Sequence, residues 1–176
     1  GATGISAASG GLGGSAGVTN SGTVYASQYT KYGYGAYGIV VSADGDASID
    51  NSGEITVDSA GSANGAVALS FAGDASVTNS GDITVTTDAL KYYGGNGIVA
   101  FAGNGSAYAG NSGNIDVTSK YISAGIDVSG LEDATVSNSG DISVDAWRAY
   151  GIRAQAGNGD VDVSNEGSIY ATYSPG

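Results

Sequence analysis

The sequence predicts an all-β protein of one fold class, a right-handed parallel β-helix (β-solenoid) of about six turns. Three observations carry this. Asn-Ser-Gly followed one residue later by Val or Ile recurs at Asn20, Asn51, Asn79, Asn111 and Asn138, with Asn165-Glu166-Gly167 as a sixth copy. Successive asparagines lie 31, 28, 32, 27 and 27 positions apart, the size of a structural repeat in a stacked architecture. Between copies, apolar residues alternate with polar ones at period two, the mark of half-buried strands.

Each repeat of roughly 27–32 residues holds three short strands. The first is expected to open at a glycine: Gly4-Ile5, Gly38-Ile39, Gly65-Ala66, Gly97-Ile98, Gly125-Ile126 and Gly151-Ile152. Ile39 with Val41, Ile98 with Ala100, and Ile126 with Val128 then share one face. A Gly/Asp/Asn turn follows, as in Asp44-Gly45-Asp46 and Gly157-Asn158-Gly159-Asp160. The second strand runs into the motif, with Ala47 and Ile49 before Asn51 and Val161 and Val163 before Asn165. The third leaves it, as in Ile55 and Val57 or Ile142 and Val144. No such strand could bury its apolar face alone.

Spacing selects the coil over a sheet of hairpins. The motif Asn and the following Val or Ile are always four positions apart, and the opening Gly precedes the Asn by 13 to 16. From that Val or Ile to the next opening Gly the gaps are 14, 10, 14, 10 and 9, so insertions collect at one corner. Three strands and an outward loop per turn favour the right-handed form. Residues 1–176 then make a single β-solenoid domain, a rod roughly 29 Å long at about 4.8 Å per turn.

At the motif corner, Asn20, Asn51, Asn79, Asn111, Asn138 and Asn165 are expected to stack and pass amide hydrogen bonds along the axis. The Gly two residues on takes a positive φ or lets backbone approach closely. Asn-Ser-Gly is not an Asn-x-Ser/Thr sequon, so the motif reads as structural rather than as a glycan acceptor.

Val/Ile-x-Asn-Ser-Gly-x-Ile-x-Val, then Gly-Ile, then a Gly/Asp turn resembles the repeats of bacterial autotransporter and haemagglutinin-type adhesin passenger domains. The likeness runs from Gly4 to Ala171. It implies an extracellular or cell-surface right-handed β-helix, usually from a Gram-negative bacterium. The family's translocator barrel, signal region and separate capping domain are missing from this sequence.

Composition narrows the function. Of 176 residues, 32 are Gly, one is Pro and none is Cys, His or Met; 41% are apolar, mostly small Ala, Val and Ile. That suits a thin core and removes disulfides and thiolate metal sites. Five cations against seventeen acids give a net charge of −12, which excludes binding to a nucleic-acid backbone. No apolar run reaches membrane-spanning length, so membrane insertion is not expected. No signal peptide is present; a secreted protein would be a processed or excerpted form. A polysaccharide lyase or hydrolase would need Asp or Glu clustered with His, Arg or Lys; without His, and with Arg148 and Arg153 as the only arginines, Asp127 near Arg153 is the nearest approach, so no enzyme is predicted and a polysaccharide-active β-helix is the third and least favoured reading.

Acids fall into rows. Glu54, Asp82 and Asp141 follow the motif, and Asp46, Asp74, Asp133 and Asp160 mark the Gly turn. Stacked carboxylates repel, and Ca²⁺ could relieve them, with Asp46, Asp74 and Asp160 as candidates. The solvated reading is preferred, and no cofactor is expected. Candidate interfaces are the variable corner and an outward apolar set. The corner carries Tyr32, Tyr34, Tyr37, Lys91, Tyr92, Tyr93, Lys120, Tyr121, Trp147, Arg148 and Tyr150. Tyrosine, tryptophan and arginine together are typical of interfaces. The outward set on the first strands is Val67, Leu69, Val99 and Phe101, with Val40. The expected partners are copies of the chain, head to tail and side by side, with glycans or cell surfaces meeting the Tyr/Lys corner as the alternative. The sequence starts near a first strand and stops after a third, so uncapped ends are expected to stack into a filament.

Overall fold

A computed structural model describes residues 1–30, 35–88 and 94–174. Among these, every element is a strand. The first two rungs hold β1 (Ala2–Ser9), β2 (Ala16–Asn20), β3 (Val24–Gln28), β4 (Ala36–Ala43), β5 (Ala47–Asn51) and β6 (Ile55–Ser59). The next two hold β7 (Ala63–Ser70), β8 (Ala75–Asn79), β9 (Ile83–Thr87), β10 (Gly95–Ala102), β11 (Ala107–Asn111) and β12 (Ile115–Ser119). The last two hold β13 (Ile122–Gly130), β14 (Ala134–Asn138), β15 (Ile142–Ala146), β16 (Arg148–Ala156), β17 (Val161–Asn165) and β18 (Ile169–Tyr173).

Each rung gives one strand to each of three six-stranded sheets, in the orders β1-β4-β7-β10-β13-β16, β2-β5-β8-β11-β14-β17 and β3-β6-β9-β12-β15-β18. All pairings are parallel. The fold is a β-solenoid with three strands per turn, and five rung-to-rung steps separate its first and last layers.

The core follows from alternation. Ile55, Ile83, Ile115 and Ile142 stack in register on the third sheet, and each is buried. The second sheet contributes the smaller column Ala47, Ala75, Ala107 and Ala134, which keeps the rung thin. β-branched side chains fit this pleated, closed surface.

The first strands start earlier than the sequence suggests. β4 begins at Ala36 and β7 at Ala63, two residues before the glycine expected to open them. The glycine is a break inside the strand: Gly38 and Ile39 are both buried, interrupting the alternation. A Cβ on Gly38 would lie 2.3 Å from Cγ2 of Ile55 and 2.6 Å from the Gly65 carbonyl oxygen. The same overlap recurs for Gly65 with Ile83, Gly97 with Ile115 and Gly125 with Ile142. This glycine is thus required by the isoleucine that follows the Asn motif across the core.

Candidate functional site: the asparagine corner, the outer rows and the end rungs

The six asparagines form one directional ladder. Each side-chain amide donates one N–H to the carbonyl of the Gly two residues on, at 2.6–2.7 Å. Asn20, Asn51, Asn79, Asn111 and Asn138 donate the other to Oδ1 of the next asparagine, at 2.7–2.8 Å. Asn51, Asn79, Asn111 and Asn138 are buried. Among the described residues, no buried side-chain polar atom lacks a partner. The ladder points one way: Asn165 keeps an undonated N–H at one end, and Oδ1 of Asn20 accepts nothing at the other.

Close approach, rather than positive φ, explains the motif glycine. Among the described glycines only Gly13 and Gly35 have positive φ. A Cβ on Gly53, Gly81, Gly113, Gly140 or Gly167 would sit 1.9–2.1 Å from the carbonyl oxygen of the motif glycine one rung below. No side chain fits there.

The acidic rows staple rungs together. Oδ1 of Asp46 accepts the Asp74 N–H at 3.0 Å, Asp74 accepts that of Ser106 at 2.8 Å, and Asp133 that of Asp160 at 2.9 Å. In the other row, Asp82 takes the Asn114 N–H and Asp141 the Ser168 N–H, both at 2.9 Å. Of the calcium candidates, Asp46 and Asp74 each give one carboxylate oxygen to a backbone amide of the next rung. Among the described residues no group of three His, Cys, Asp or Glu side chains could hold a metal ion.

Of the variable-corner residues, Tyr32, Tyr34, Lys91, Tyr92 and Tyr93 lie outside the described residues. Of the others, Tyr121, Trp147, Arg148 and Tyr150 contact one another in pairs near the last two rungs. Tyr121 and Trp147 stack, with centroids 5.7 Å apart and planes at 11°. Lys120 pairs with Asp88 at 3.3 Å in an exposed setting. Arg148 and Arg153 flank the Tyr150 ring, each guanidinium carbon 5.5 Å from its centroid. Arg153 also grips Asp127 with Nε and Nη2. That hydrogen bonding holds the Arg153 guanidinium above its ordinary pKa. Tyr37 is half-buried, facing outward beside Asn64.

The outward apolar set is less open than alternation implies. Val40, Val67 and Val99 form a register row. Val67 is buried at 5% exposure, enclosed by its two neighbours, which are half-buried. Leu69 is also half-buried, and only Phe101 of this set is exposed.

Apolar exposure concentrates elsewhere. On the last rung Val161, Val163 and Ile169 are 51%, 46% and 39% exposed, although their counterparts Val136 and Ile142 are buried. On the first, Ile5 and Val18 are only half-buried. A second group lies at the corner between the first and second sheets: Leu12, Phe71, Phe101 and Leu131. Leu12 passes unnoticed by periodicity arguments, because it sits in a glycine-rich turn outside any alternating run.

Comparison of the chain with models of protein families, with curated proteins and with solved structures finds no match.

Proposed function

We propose that this chain is a non-enzymatic structural element, a β-solenoid subunit that stacks head to tail into an extracellular or surface fibre. The observation that carries the reading is the polarity of the asparagine ladder. It ends on a donor at Asn165 and begins on an acceptor at Asn20, so one copy set on another continues it without change.

The rest of the two rungs agrees. Extending the register places Ile152 below Ile5 of the next copy, Val163 below Val18, Ile169 below Val24 and Tyr170 below Tyr25. Asp160 would take a backbone N–H from the next copy as Asp133 does within this one. Charge favours this orientation over tail to tail. The first 43 residues contain no acid, whereas the last rung carries Asp160, Asp162 and Glu166. Head to tail sets an acidic rung on a neutral one and avoids like charges at strand spacing. Open sheet edges template such pairing, and a heterologous contact that does not close gives a filament. The extracellular, Gram-negative and adhesin-type setting rests on the resemblance of the Asn-Ser-Gly repeats alone.

A second reading, glycan or cell-surface binding by a monomer, is favoured by the stacked Tyr121–Trp147 pair, with Trp147 46% exposed as a ring platform. One preparation decides between them. The 176-residue chain should form filaments about one solenoid wide under electron microscopy. Val163→Asp on the exposed last rung should leave folded, dispersed monomers. Dispersed monomers of the unaltered chain at high concentration would overturn the fibre. Saturable glycan-array binding by those monomers, lost in Trp147→Ala, would establish the second reading.

A further inference from the structure

The turn between β1 and β2 is the odd member of its column. It spans residues 10–15, six residues, where residues 44–46 and 71–74 make the same corner with three and four. Its sequence is Gly10-Gly11-Leu12-Gly13-Gly14-Ser15. The Gly14 N–H donates to the Gly11 carbonyl at 2.8 Å, closing a four-residue turn with Leu12 and Gly13 at its tip. Gly13 has φ of +70°, a conformation that glycine supplies without strain at the third position of a turn. Its N–H is tied to the Asp44 carboxylate of the second rung at 2.6 Å, which anchors the turn beside Leu12. Around Gly10, Gly11 and Gly13 there is open space within 4 Å. One large side chain is thus held out on a small, anchored loop: Leu12 is 103% exposed.

The same corner at the other end of the rod is concave. A groove of about 290 Å³ crosses the last three rungs, lined by Phe101, Ser129, Leu131, Gln155 and Gly157 among others. Phe101 and Leu131 are its apolar walls, 42% and 38% exposed. Ser129 is a small floor between Phe101 and Gln155 on the outward row. Leu131 leans towards the last rung, since a Cβ on Gly157 would lie 2.9 Å from Leu131 Cδ1. With glycine there, Leu131 can be reached from above.

We propose that Leu12 of one copy docks into the Phe101–Leu131 groove of the copy beneath it, as a clasp across the axial junction. This rests on head-to-tail stacking and adds what the repeat itself lacks. Every rung offers the same Asn, Gly and Ile rows, so those rows alone would accept any strand edge of similar pattern. A leucine on the first rung and its groove on the last three tie the junction to one pair of surfaces. The geometry allows it: the next copy's first rung sits about 4.8 Å above Gly157 and about 10 Å above Leu131. A turn two to three residues longer than its equivalents spans that distance with a leucine side chain at its tip.

The chain contains no cysteine, which makes the contact testable by crosslinking. Leu12 and Leu131 lie on the first and fifth rungs, roughly 19 Å apart along the axis, beyond disulfide reach within one molecule. Treated with a short bis-maleimide that spans about two rungs (~10 Å), Leu12→Cys/Leu131→Cys filaments should run as a ladder of multimers on a denaturing gel. Leu12→Cys/Trp147→Cys, at a different corner, should stay monomeric on the same gel. Leu12→Ser should raise the critical concentration for assembly about tenfold or more, the loss expected for an unburied leucine. Filaments without crosslinks, or equal crosslinking in the control pair, would overturn the clasp and leave stacking intact. Absence of filaments in the unaltered chain would remove stacking and the clasp together.

Discussion

Replacing Asn79 by alanine tests the ladder at its middle. Asn79 takes part in three hydrogen bonds: its amide donates to the Gly81 carbonyl at 2.6 Å and to Asn111 at 2.8 Å, and its Oδ1 accepts from Asn51 at 2.7 Å. Alanine leaves an N–H of Asn51 and the Oδ1 of Asn111 without partners, and both residues are buried. An orphaned buried polar group costs about 1–3 kcal/mol, so the two together with the lost Gly81 bond come to about 3–7 kcal/mol. Asn20→Ala is the internal control. It removes the bonds to Asn51 and Gly22, but at an end rung where water replaces them, for about 1 kcal/mol. The comparison is made by urea unfolding of the two variants, followed by far-UV circular dichroism under conditions that keep the chain monomeric. The Asn79→Ala/Asn111→Ala double variant should cost less than the sum of the singles, because each single strands a polar group of the other residue. Equal losses for Asn79→Ala and Asn20→Ala would show that the ladder is a by-product of stacking rather than a cause of it.

Two further outcomes follow from the glycine and acid rows. Gly97→Ala should lose about 1–3 kcal/mol, because its Cβ would meet Ile115 Cγ2 at 2.4 Å and the Gly125 carbonyl at 2.6 Å. Gly10→Ala, in open space, should change stability by less than about 0.5 kcal/mol, and equal effects in thermal melts would dismiss the packing argument. Asp133→Asn should be nearly neutral because the amide oxygen still accepts the Asp160 N–H, while Asp133→Ala should lose about 1 kcal/mol. A calcium-induced rise in melting temperature that vanished in Asp133→Asn would reverse this reading and make the row a cation site.

The solenoid was legible because inward residues answer to only a few constraints. Asn51, Gly53 and Ile55 each have one counterpart above and one below, so their columns repeat in the sequence with the rungs. Where the strands start was not legible, because Ala36 and Ala63 carry no signal stronger than any other alanine and the glycine break looks like a boundary. The acidic rows were visible as charge but not as hydrogen bonding, since their partners are backbone amides, which every residue possesses. Val67 shows the limit of alternation: it faces outward by parity yet is buried by Val40 and Val99 beside it. Leu12 was missed for the opposite reason, having no periodic neighbour to draw attention to it.

The distribution of charge bears on the form of any assembly. At −12 per chain and roughly 29 Å of rise, a stacked rod would carry about 0.4 negative charges per ångström, densest beyond Asp44 in each copy. In such a rod the axial junctions would escape this repulsion, because the neutral first rung would meet the acidic last one through apolar side chains, amides and the leucine turn. Rods lying side by side do not escape it, and within the ~8 Å screening length of physiological salt they repel. The proposed stacking would therefore give long single rods rather than bundles. The flank where lateral contact meets least resistance is the corner of Lys120, Tyr121, Trp147 and Arg148, since it sets cations and ring faces towards whatever approaches. On the proposed stacking, axial growth and lateral recognition would fall on different surfaces: the first carried by columns that repeat in every rung, the second by side chains that belong to only a few.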